Sequence, residues 1–265
     1  MRWTRDELLI VLNLYHKIPF GLFDERQKVI IDLAEAMKRT PGSVAMKLSN
    51  FASLDPALQL RGIGGLPSTS KLDREMWAEF HANLAEYVPL SQERFDSLFI
   101  DAAKGTTEVI PGKGIIPRPT VPVGPTEVAT LAKRRRGQDF FRDMVLNNYA
   151  NRCGITGLPI RELLIASHIL PWSSHEAERL NVRNGICLNR LHDAAFDKGL
   201  IGFDDQLQLL LSTRLLSTRL RENLPQRFVA ESFEAYEGHP LVVPEDGFAP
   251  DPGFVKEHRV RFGLG

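Results

Sequence analysis

Apolar and polar positions alternate with the period of an α-helix through the first hundred residues. Apolar side chains recur three and four positions apart in several stretches, so one face of each stretch is apolar. The predicted helices cover residues 3–15, 29–37, 44–51 and 73–87. Thr4 and Glu7 have the spacing of a capping box, which marks the start of the first helix. This part of the chain is therefore predicted to be helical.

A short turn separates the second and third predicted helices. Residues 39–42 read Arg-Thr-Pro-Gly, and proline is well tolerated in the first turn of a helix. Two short helices joined by so few residues are typical of a helix-turn-helix. The pattern predicts a helix-turn-helix-like domain over residues 1–100.

Proline and glycine interrupt the pattern after this domain. Residues 111–125 contain five prolines and three glycines. Because proline fixes φ and lacks a backbone donor, this density favours an extended linker over a helix or a central strand. The sequence therefore predicts a linker over residues 101–132 and a second domain over residues 133–265.

The second domain mixes helical and extended patterns. Apolar residues at helical spacing predict a helix through residues 140–149, and residues 150–203 alternate short extended runs with one short helical stretch. The predicted fold class is α+β, with a helical domain, a proline-rich linker and a small mixed domain in that order.

Charge is balanced overall but not along the chain. Lys plus Arg and Asp plus Glu each number 33 in 265 residues, while residues 101–200 carry a net charge of +4 and residues 201–265 one of −3. Only local basic clusters contact phosphates, so this balance weakens a nucleic-acid interpretation without removing it. No apolar run is long enough for a bilayer and no signal core is present, so a cytoplasmic protein without a membrane partner is expected.

Three short motifs follow one another within thirty residues. They read His168-Ile-Leu-Pro-Trp172, Asn184-Gly-Ile-Cys-Leu188 and His192-Asp-Ala-Ala-Phe-Asp197. In this order and spacing they resemble the HNH endonucleases, most closely their bacterial restriction-type branch. The resemblance implies a ββα-metal unit, in which a histidine ends the first strand and a metal ligand lies on the following helix.

The motif residues suit phosphodiester hydrolysis. A neutral imidazole titrates near working pH, so His168 is the natural base for a water nucleophile. The resemblance implies that the Asn184 carbonyl orients this imidazole and that the helix holds a divalent cation, Mg²⁺, Mn²⁺ or Ni²⁺. His192, Asp193 and Asp197 offer nitrogen and oxygen ligands for such an ion, and His192 is also a candidate catalytic residue.

Two departures from the family pattern affect the metal prediction. Many relatives have a metal-binding aspartate directly before the base, and this chain has Ser167 there. Asp193 and Asp197 fall at the family's helix-ligand positions and share one helix face, whereas His192 lies one residue early, so all three remain candidate ligands. Cys153 is not part of a Cys-x-x-Cys pair, so no structural zinc is expected.

Asn189 and a set of polar residues outside the motifs complete the candidate list. Asn189 has the position of an N-cap for the ligand-bearing helix. The N-terminal domain looks like a Myb-type or other helix-turn-helix module, for which the alternative is a helical packing or dimerisation domain. The candidate DNA contacts are Lys47, Asn50, Arg61, Lys133, Arg134, Arg135 and Arg136.

These observations predict a metal-dependent endonuclease that cuts double-stranded DNA in restriction or phage defence. Some restriction-type relatives cut only methylated or phosphorothioate-bearing DNA, so dependence on such a modification is part of the hypothesis. The alternative is a non-catalytic DNA-binding regulator with a decayed nuclease unit, against which the intact His168 and Asn184 argue. A homodimer is left open as the oligomeric state.

Overall fold

The computed structural model of the chain describes residues 2–66, 68–101, 105–119, 129–217 and 226–264. The chain forms two compact units, Met1–Asn147 and Asn148–Gly265. Among the described residues, no helix is both long enough and apolar enough to cross a membrane.

The first unit is mainly helical, as the periodicity predicted. The capping box is present, with the Thr4 side chain accepting from the Glu7 amide and the Glu7 carboxylate accepting from the Thr4 amide. Its helices are α1 (Arg5–Lys17), α2 (Lys28–Ala36), α3 (Pro41–Ala52), α4 (Pro56–Leu60), α5 (Lys71–Ala82), α6 (Leu84–Asp96) and α7 (Ala129–Asn148). Leu8, Leu12 and Phe51 are fully buried in its core.

A β-hairpin occupies part of the predicted linker. Strand β1 (Gly105–Ile110) pairs antiparallel with β2 (Gly114–Pro119), and Gly112 takes a φ of +78° in the turn. The extended-linker prediction is wrong for these residues because each strand of a two-stranded ribbon keeps one unpaired edge, where proline is tolerated. Residues 120–128 of the predicted linker lie outside the described part of the chain.

A buried polar network joins α1, β1 and α7. The fully buried Lys17 ammonium lies 3.3 Å from Asp143 Oδ2 and 4.8 Å from the centre of the Phe95 ring. Asp143 Oδ2 also accepts from the Val109 amide at 3.1 Å, and the Asn147 amide side chain donates to the carbonyls of Lys17 and Val109. Because of these bonds most of α7 belongs to the first unit, so the units divide at residue 147 and not at the predicted linker.

The second unit contains the strand-strand-helix order that the motifs implied. Strand β3 (Leu164–His168) pairs antiparallel with β4 (Gly185–Asn189), and helix α8 (Arg190–Asp197) follows directly. Further elements are β5 (Ile201–Phe203), β6 (Leu209–Leu211), α9 (Thr213–Leu216), α10 (Gln226–Ser232) and α11 (Pro252–Phe262). The predicted α+β class is confirmed.

Helix α11 packs against α8 and the turn that follows it. The buried His258 ring stacks on Phe196 with centroids 3.8 Å apart, and its Nε2 donates to the Phe196 carbonyl oxygen at 3.1 Å. Burial lowers the pKa of His258 to about 4, so the stacked imidazole is neutral at neutral pH. Gly199 has a φ of +62°, and a Cβ there would lie 2.2 Å from the Phe262 ring. This close approach requires glycine at position 199.

Replacing Lys17 with methionine should destabilise the first unit by about 3–5 kcal/mol, because Asp143 would lose its buried counter-charge. The matched control is Lys71→Met, since the Lys71–Glu75 pair is solvent-exposed at 3.6 Å and such pairs contribute at most about 1 kcal/mol. Urea unfolding of the full chain, followed by circular dichroism, measures both. Equal unfolding midpoints for the two variants would contradict the role given to Lys17.

Candidate active site

The hairpin of β3 and β4 sets the positions of the two central motif residues. His168 is the last residue of β3 and pairs with Gly185, the first residue of β4. Asn184 therefore lies directly beside the end of β3, at the close of a short 3₁₀ turn over Val182–Asn184. The Asn181 side chain accepts from the Arg183 amide and caps this turn.

The His168 imidazole is half-buried and held in one orientation. Its Nε2 lies 3.0 Å from the Arg179 carbonyl oxygen, and its ring makes an edge contact with Trp172 at 5.3 Å between centroids. A carbonyl only accepts, so Nε2 carries the proton and the lone pair of the neutral ring is on Nδ1. Burial lowers the pKa of His168, with the Arg179 hydrogen bond opposing it, so the ring is neutral at neutral pH. A neutral imidazole with a fixed tautomer can accept a proton from water.

Asn184 braces the loop that holds His168. Its fully buried side chain accepts from the Leu170 amide at 2.8 Å and donates to the Glu178 carbonyl at 3.0 Å. The imidazole itself is held by Arg179, the residue after Glu178. These hydrogen bonds differ from the direct contact with the imidazole that the resemblance implied. Asn184 therefore fixes the backbone on both sides of the loop that carries the Arg179 carbonyl.

Asn189 fixes the junction between β4 and α8. Its Oδ1 accepts from the His192 amide at 2.9 Å, which confirms the predicted N-cap. Its Nδ2 donates to His192 Nδ1 at 3.0 Å, and its backbone amide donates to Cys153 Sγ at 3.3 Å. The direction of α8 is thus fixed by bonds from one residue.

Asp193 and Asp197 stand one turn apart on α8. Burial raises the pKa of Asp193, and the Asp197 charge raises it further, while the Ser167 hydroxyl and Arg190 lower it. Burial also raises the pKa of Asp197, against the lowering effect of Lys198 and Arg261. The two carboxylates therefore repel one another in a partly desolvated place, beside the residue that precedes His168. A bound cation would relieve this repulsion.

The donor set fits a hard divalent cation. Within the described residues, no group of three or more His, Cys, Asp or Glu side chains could hold a metal ion. Mg²⁺ is commonly held by one or two carboxylates, with water and substrate phosphate completing its octahedron. Two oxygen ligands from α8 match that mode, and they match the nitrogen-rich sites of Ni²⁺ less well.

The comparison with protein families agrees with this geometry. The model of the HNH endonuclease family matches residues 153–204, which include β3, β4, α8 and the residues described above. Residues 153–204 thus resemble an HNH endonuclease domain, called the HNH domain below. No curated protein matches the chain. The matched segment covers the hairpin and helix of the HNH domain and ends before α11.

The HNH domain does not bring His192 together with the two carboxylates. His192 is 1% exposed, and its Nε2 donates to the Ser232 carbonyl at 2.7 Å while Nδ1 accepts from Asn189. Both ring nitrogens are therefore used in hydrogen bonds: the Nε2 bond fastens α8 to α10, and the Nδ1 bond joins the ring to the N-cap of α8. His192 thus has a structural role, and the assignment of His192, Asp193 and Asp197 as metal ligands stays a prediction.

Two of the predicted DNA contacts in the first unit are buried. Lys47 is 7% exposed, and its ammonium lies 2.9 Å from both carboxylate oxygens of Asp73 on α5. Asn50 is 4% exposed. Both side chains are enclosed within the first unit, so the DNA prediction is wrong for these two residues. Helical periodicity alone could not show that a lysine on α3 has an aspartate partner on another helix.

The other predicted DNA contacts have different surroundings. Arg61 is exposed in the turn after α4, and Arg135 is half-buried on α7. Arg136 forms a 3.1 Å ion pair with Glu93. The side chains of Lys133 and Arg134 lie outside the described part of the chain. A role of Arg61 and Arg135 in DNA binding stays a prediction.

Replacing His192 with glutamine should lower the stability of the HNH domain by about 1–3 kcal/mol, because a buried hydrogen bond to α10 is lost. Its Mn²⁺ affinity should stay at the wild-type value, since the imidazole does not face Asp193 or Asp197. Thermal unfolding without metal and calorimetric Mn²⁺ titration measure the two effects. A His192→Gln variant that keeps wild-type stability but loses Mn²⁺ affinity would restore His192 as a ligand.

Proposed function

We propose that the chain is a metal-dependent endonuclease that hydrolyses phosphodiester bonds in double-stranded DNA. The HNH domain supports a nuclease of that family. The observation that carries the proposal is the His168 hydrogen bond to the Arg179 carbonyl, because it fixes the neutral imidazole as the Nε2–H tautomer, in which Nδ1 is the basic nitrogen. The carboxylate pair on α8 supplies the second requirement, a place for a cation next to the scissile phosphate.

The proposed reaction begins with proton transfer to His168. Nδ1 takes a proton from water as the water oxygen attacks phosphorus, and the bond between phosphorus and the leaving sugar oxygen breaks. The leaving oxygen then takes a proton from solvent, and the imidazolium returns its own proton to water. A divalent cation held by Asp193 and Asp197 supplies charge stabilisation at the phosphate when it is bound.

Asn184 has a positioning role in this scheme. Its side chain sets the spacing between Leu170 and Glu178, and the Arg179 carbonyl that follows selects the His168 tautomer. The base therefore depends on a loop whose geometry is fixed by one buried amide. Trp172 packs against the same imidazole and limits its rotation.

The proposed biological role is restriction of foreign DNA, with selectivity for methylated or phosphorothioate-bearing sites included in the proposal. Its support is the attachment of a separate helical unit to an HNH domain. Arg61 and Arg135 are the described residues proposed to help that unit bind DNA. The second candidate function, a non-catalytic DNA-binding regulator, is disfavoured by the fixed His168 tautomer and the retained carboxylate pair.

Replacing His168 with alanine should lower plasmid cleavage by about 10²–10⁴-fold, the usual contribution of a general base. DNA affinity and the unfolding midpoint should stay near wild type, since the imidazole is half-buried and its hydrogen bond to the Arg179 carbonyl joins it to a loop that is not buried. His239→Ala is the matched control, because His239 is an exposed histidine of the same unit.

Plasmids with unmodified, methylated and phosphorothioate-bearing DNA, each with Mg²⁺ or Mn²⁺, test substrate and cofactor in the same assay. Wild-type cleavage rates for His168→Ala would contradict the assignment of the base. Failure of the wild-type protein to cut any of these DNAs, with DNA binding retained, would favour the regulator.

Replacing Asp193 or Asp197 with asparagine should weaken both Mn²⁺ binding and cleavage, because each variant removes one of two charged ligands. Raised Mn²⁺ should restore part of the cleavage rate by mass action, and it should not restore the rate of His168→Ala. Calorimetric titration of Mn²⁺ gives the affinity without relying on activity. Wild-type Mn²⁺ affinity in both variants would place the cation elsewhere.

A further inference from the structure

Arg261 lies beside the candidate site although it is 57 residues beyond the end of the matched family segment. Its Nη2 is 3.5 Å from the carbonyl oxygen of Ile169, the residue that follows His168. Its charge also acts on Asp197, whose pKa it lowers. Arg261 therefore lies near the backbone that follows β3 and near Asp197, a candidate metal ligand.

The packing of α11 holds Arg261 in this position. The His258–Phe196 stack and the contact between Phe262 and Gly199 bind the last turns of α11 to the end of α8. Gly263 ends the helix in the left-handed conformation, with its amide bonded to the carbonyl of Val260. The guanidinium lies 4.6 Å from the centre of the Phe262 ring. The backbone of Arg261 is thus held by packing, while its guanidinium reaches solvent.

Neighbouring arginines already have strong internal partners. Arg259 donates to the Phe203 carbonyl and to Asp205 at 2.7 Å, and Arg179 donates to the Trp172 carbonyl at 2.6 Å. The Arg261 bond to Ile169, by contrast, is at the long limit for a hydrogen bond. Exchanging it for charge-assisted bonds to an anion would therefore cost little and strengthen the contact.

A phosphate approaching this site needs such a cation. Asp193 and Asp197 lie one turn apart on α8, and two carboxylates on one helix face repel a phosphodiester. An arginine presents two parallel donors that match two phosphate oxygens, and it stays charged at any working pH. Preorganised donors of this kind stabilise the charge that develops on phosphate oxygens in the transition state.

We propose that Arg261 is a catalytic residue that binds the non-bridging oxygens of the scissile phosphate. This inference rests on the proposed endonuclease function and extends it to a residue outside the HNH motif. The competing explanation is structural, in which Arg261 only neutralises Asp197 and steadies the carbonyl of Ile169. If Arg261 binds the scissile phosphate, its substitution lowers the hydrolysis rate of any phosphodiester without lowering stability. If its role is structural, the loss of rate accompanies a loss of stability.

The test compares Arg261→Ala and Arg261→Lys with Lys256→Ala, an exposed cation on the same helix. Each full-length variant is assayed with Mn²⁺ on plasmid DNA and on bis-p-nitrophenyl phosphate, a diester too small to reach other DNA contacts. Arg261→Ala should lower kcat by about 10²-fold on both substrates, the usual effect of losing one transition-state donor. Arg261→Lys should recover part of the rate, and Lys256→Ala should keep the wild-type rate on the small diester.

A second measurement does not depend on activity. The affinity for a short duplex is measured in EDTA at several salt concentrations by fluorescence anisotropy. Loss of one phosphate contact in Arg261→Ala should reduce the slope of log affinity against log salt by about 0.9. Lys contributes the same charge, so Arg261→Lys should keep the wild-type slope.

Three results would overturn the proposal. The first is hydrolysis of the small diester by Arg261→Ala at the wild-type rate, which would restrict Arg261 to DNA affinity. The second is an unchanged salt slope in Arg261→Ala. The third is an equal loss of rate in Arg261→Ala and Arg261→Lys together with an equally lowered unfolding midpoint. A structural role of Arg261 would produce that result. A wild-type protein that cleaves neither the small diester nor any of the unmodified, methylated and phosphorothioate-bearing plasmids would instead refute the endonuclease function, and the assignment of Arg261 would fail with it.

Discussion

Asn189 is the residue on which the relative placement of β4 and α8 depends. It ends β4, caps α8 through the His192 amide and holds the His192 ring, while its backbone amide binds Cys153. A helix turns about 100° per residue, so a shift of the helix start by one position would carry Asp193 and Asp197 away from β3. The hairpin fixes the position of His168 and this junction fixes those of Asp193 and Asp197, so the proposed base and the proposed cation ligands depend on both. His192, which resembles a ligand in sequence, contributes to the junction and not to the site.

The local parts of the structure could be predicted from sequence, and the long-range parts could not. The capping box at Thr4, the cap at Asn189 and the positions of β3, β4 and α8 depend on residues close together in the chain. The burial of Lys47 depends on its ion pair with Asp73, which lies on another helix. The hydrogen bond of His192 Nε2 depends on Ser232, forty residues later in the chain. Such pairings leave no periodic signal. The proline-containing hairpin was missed for a related reason, since composition does not show which backbone groups face a partner strand.

Counts of charged residues describe the surface of this chain poorly. Lys17 and Lys47 are cations in any sequence tally, yet both ammonium groups lie in the interior of the first unit beside aspartates. Each pair carries the cost of desolvation and in return fixes which helices are neighbours. The balance of 33 basic and 33 acidic residues therefore does not give the charge that a ligand meets. Exposed cations such as Arg61 and Arg261 matter more to a polyanion than the total.

Helix α11 lies outside the matched family segment but inside the compact unit, so the two boundaries differ. The family match ends at residue 204, but Phe196, in the heart of the matched segment, is covered by His258 some sixty residues later. The segment that the family model matches is thus smaller than the compact unit that contains it. Gly199 shows how closely the two are joined. The ring of Phe262, which lies outside the matched segment, leaves no room for a side chain at position 199. A side chain at position 199 would have to displace Phe262 and would also have to adopt a positive φ, so a substitution in the motif would disturb the C-terminal helix.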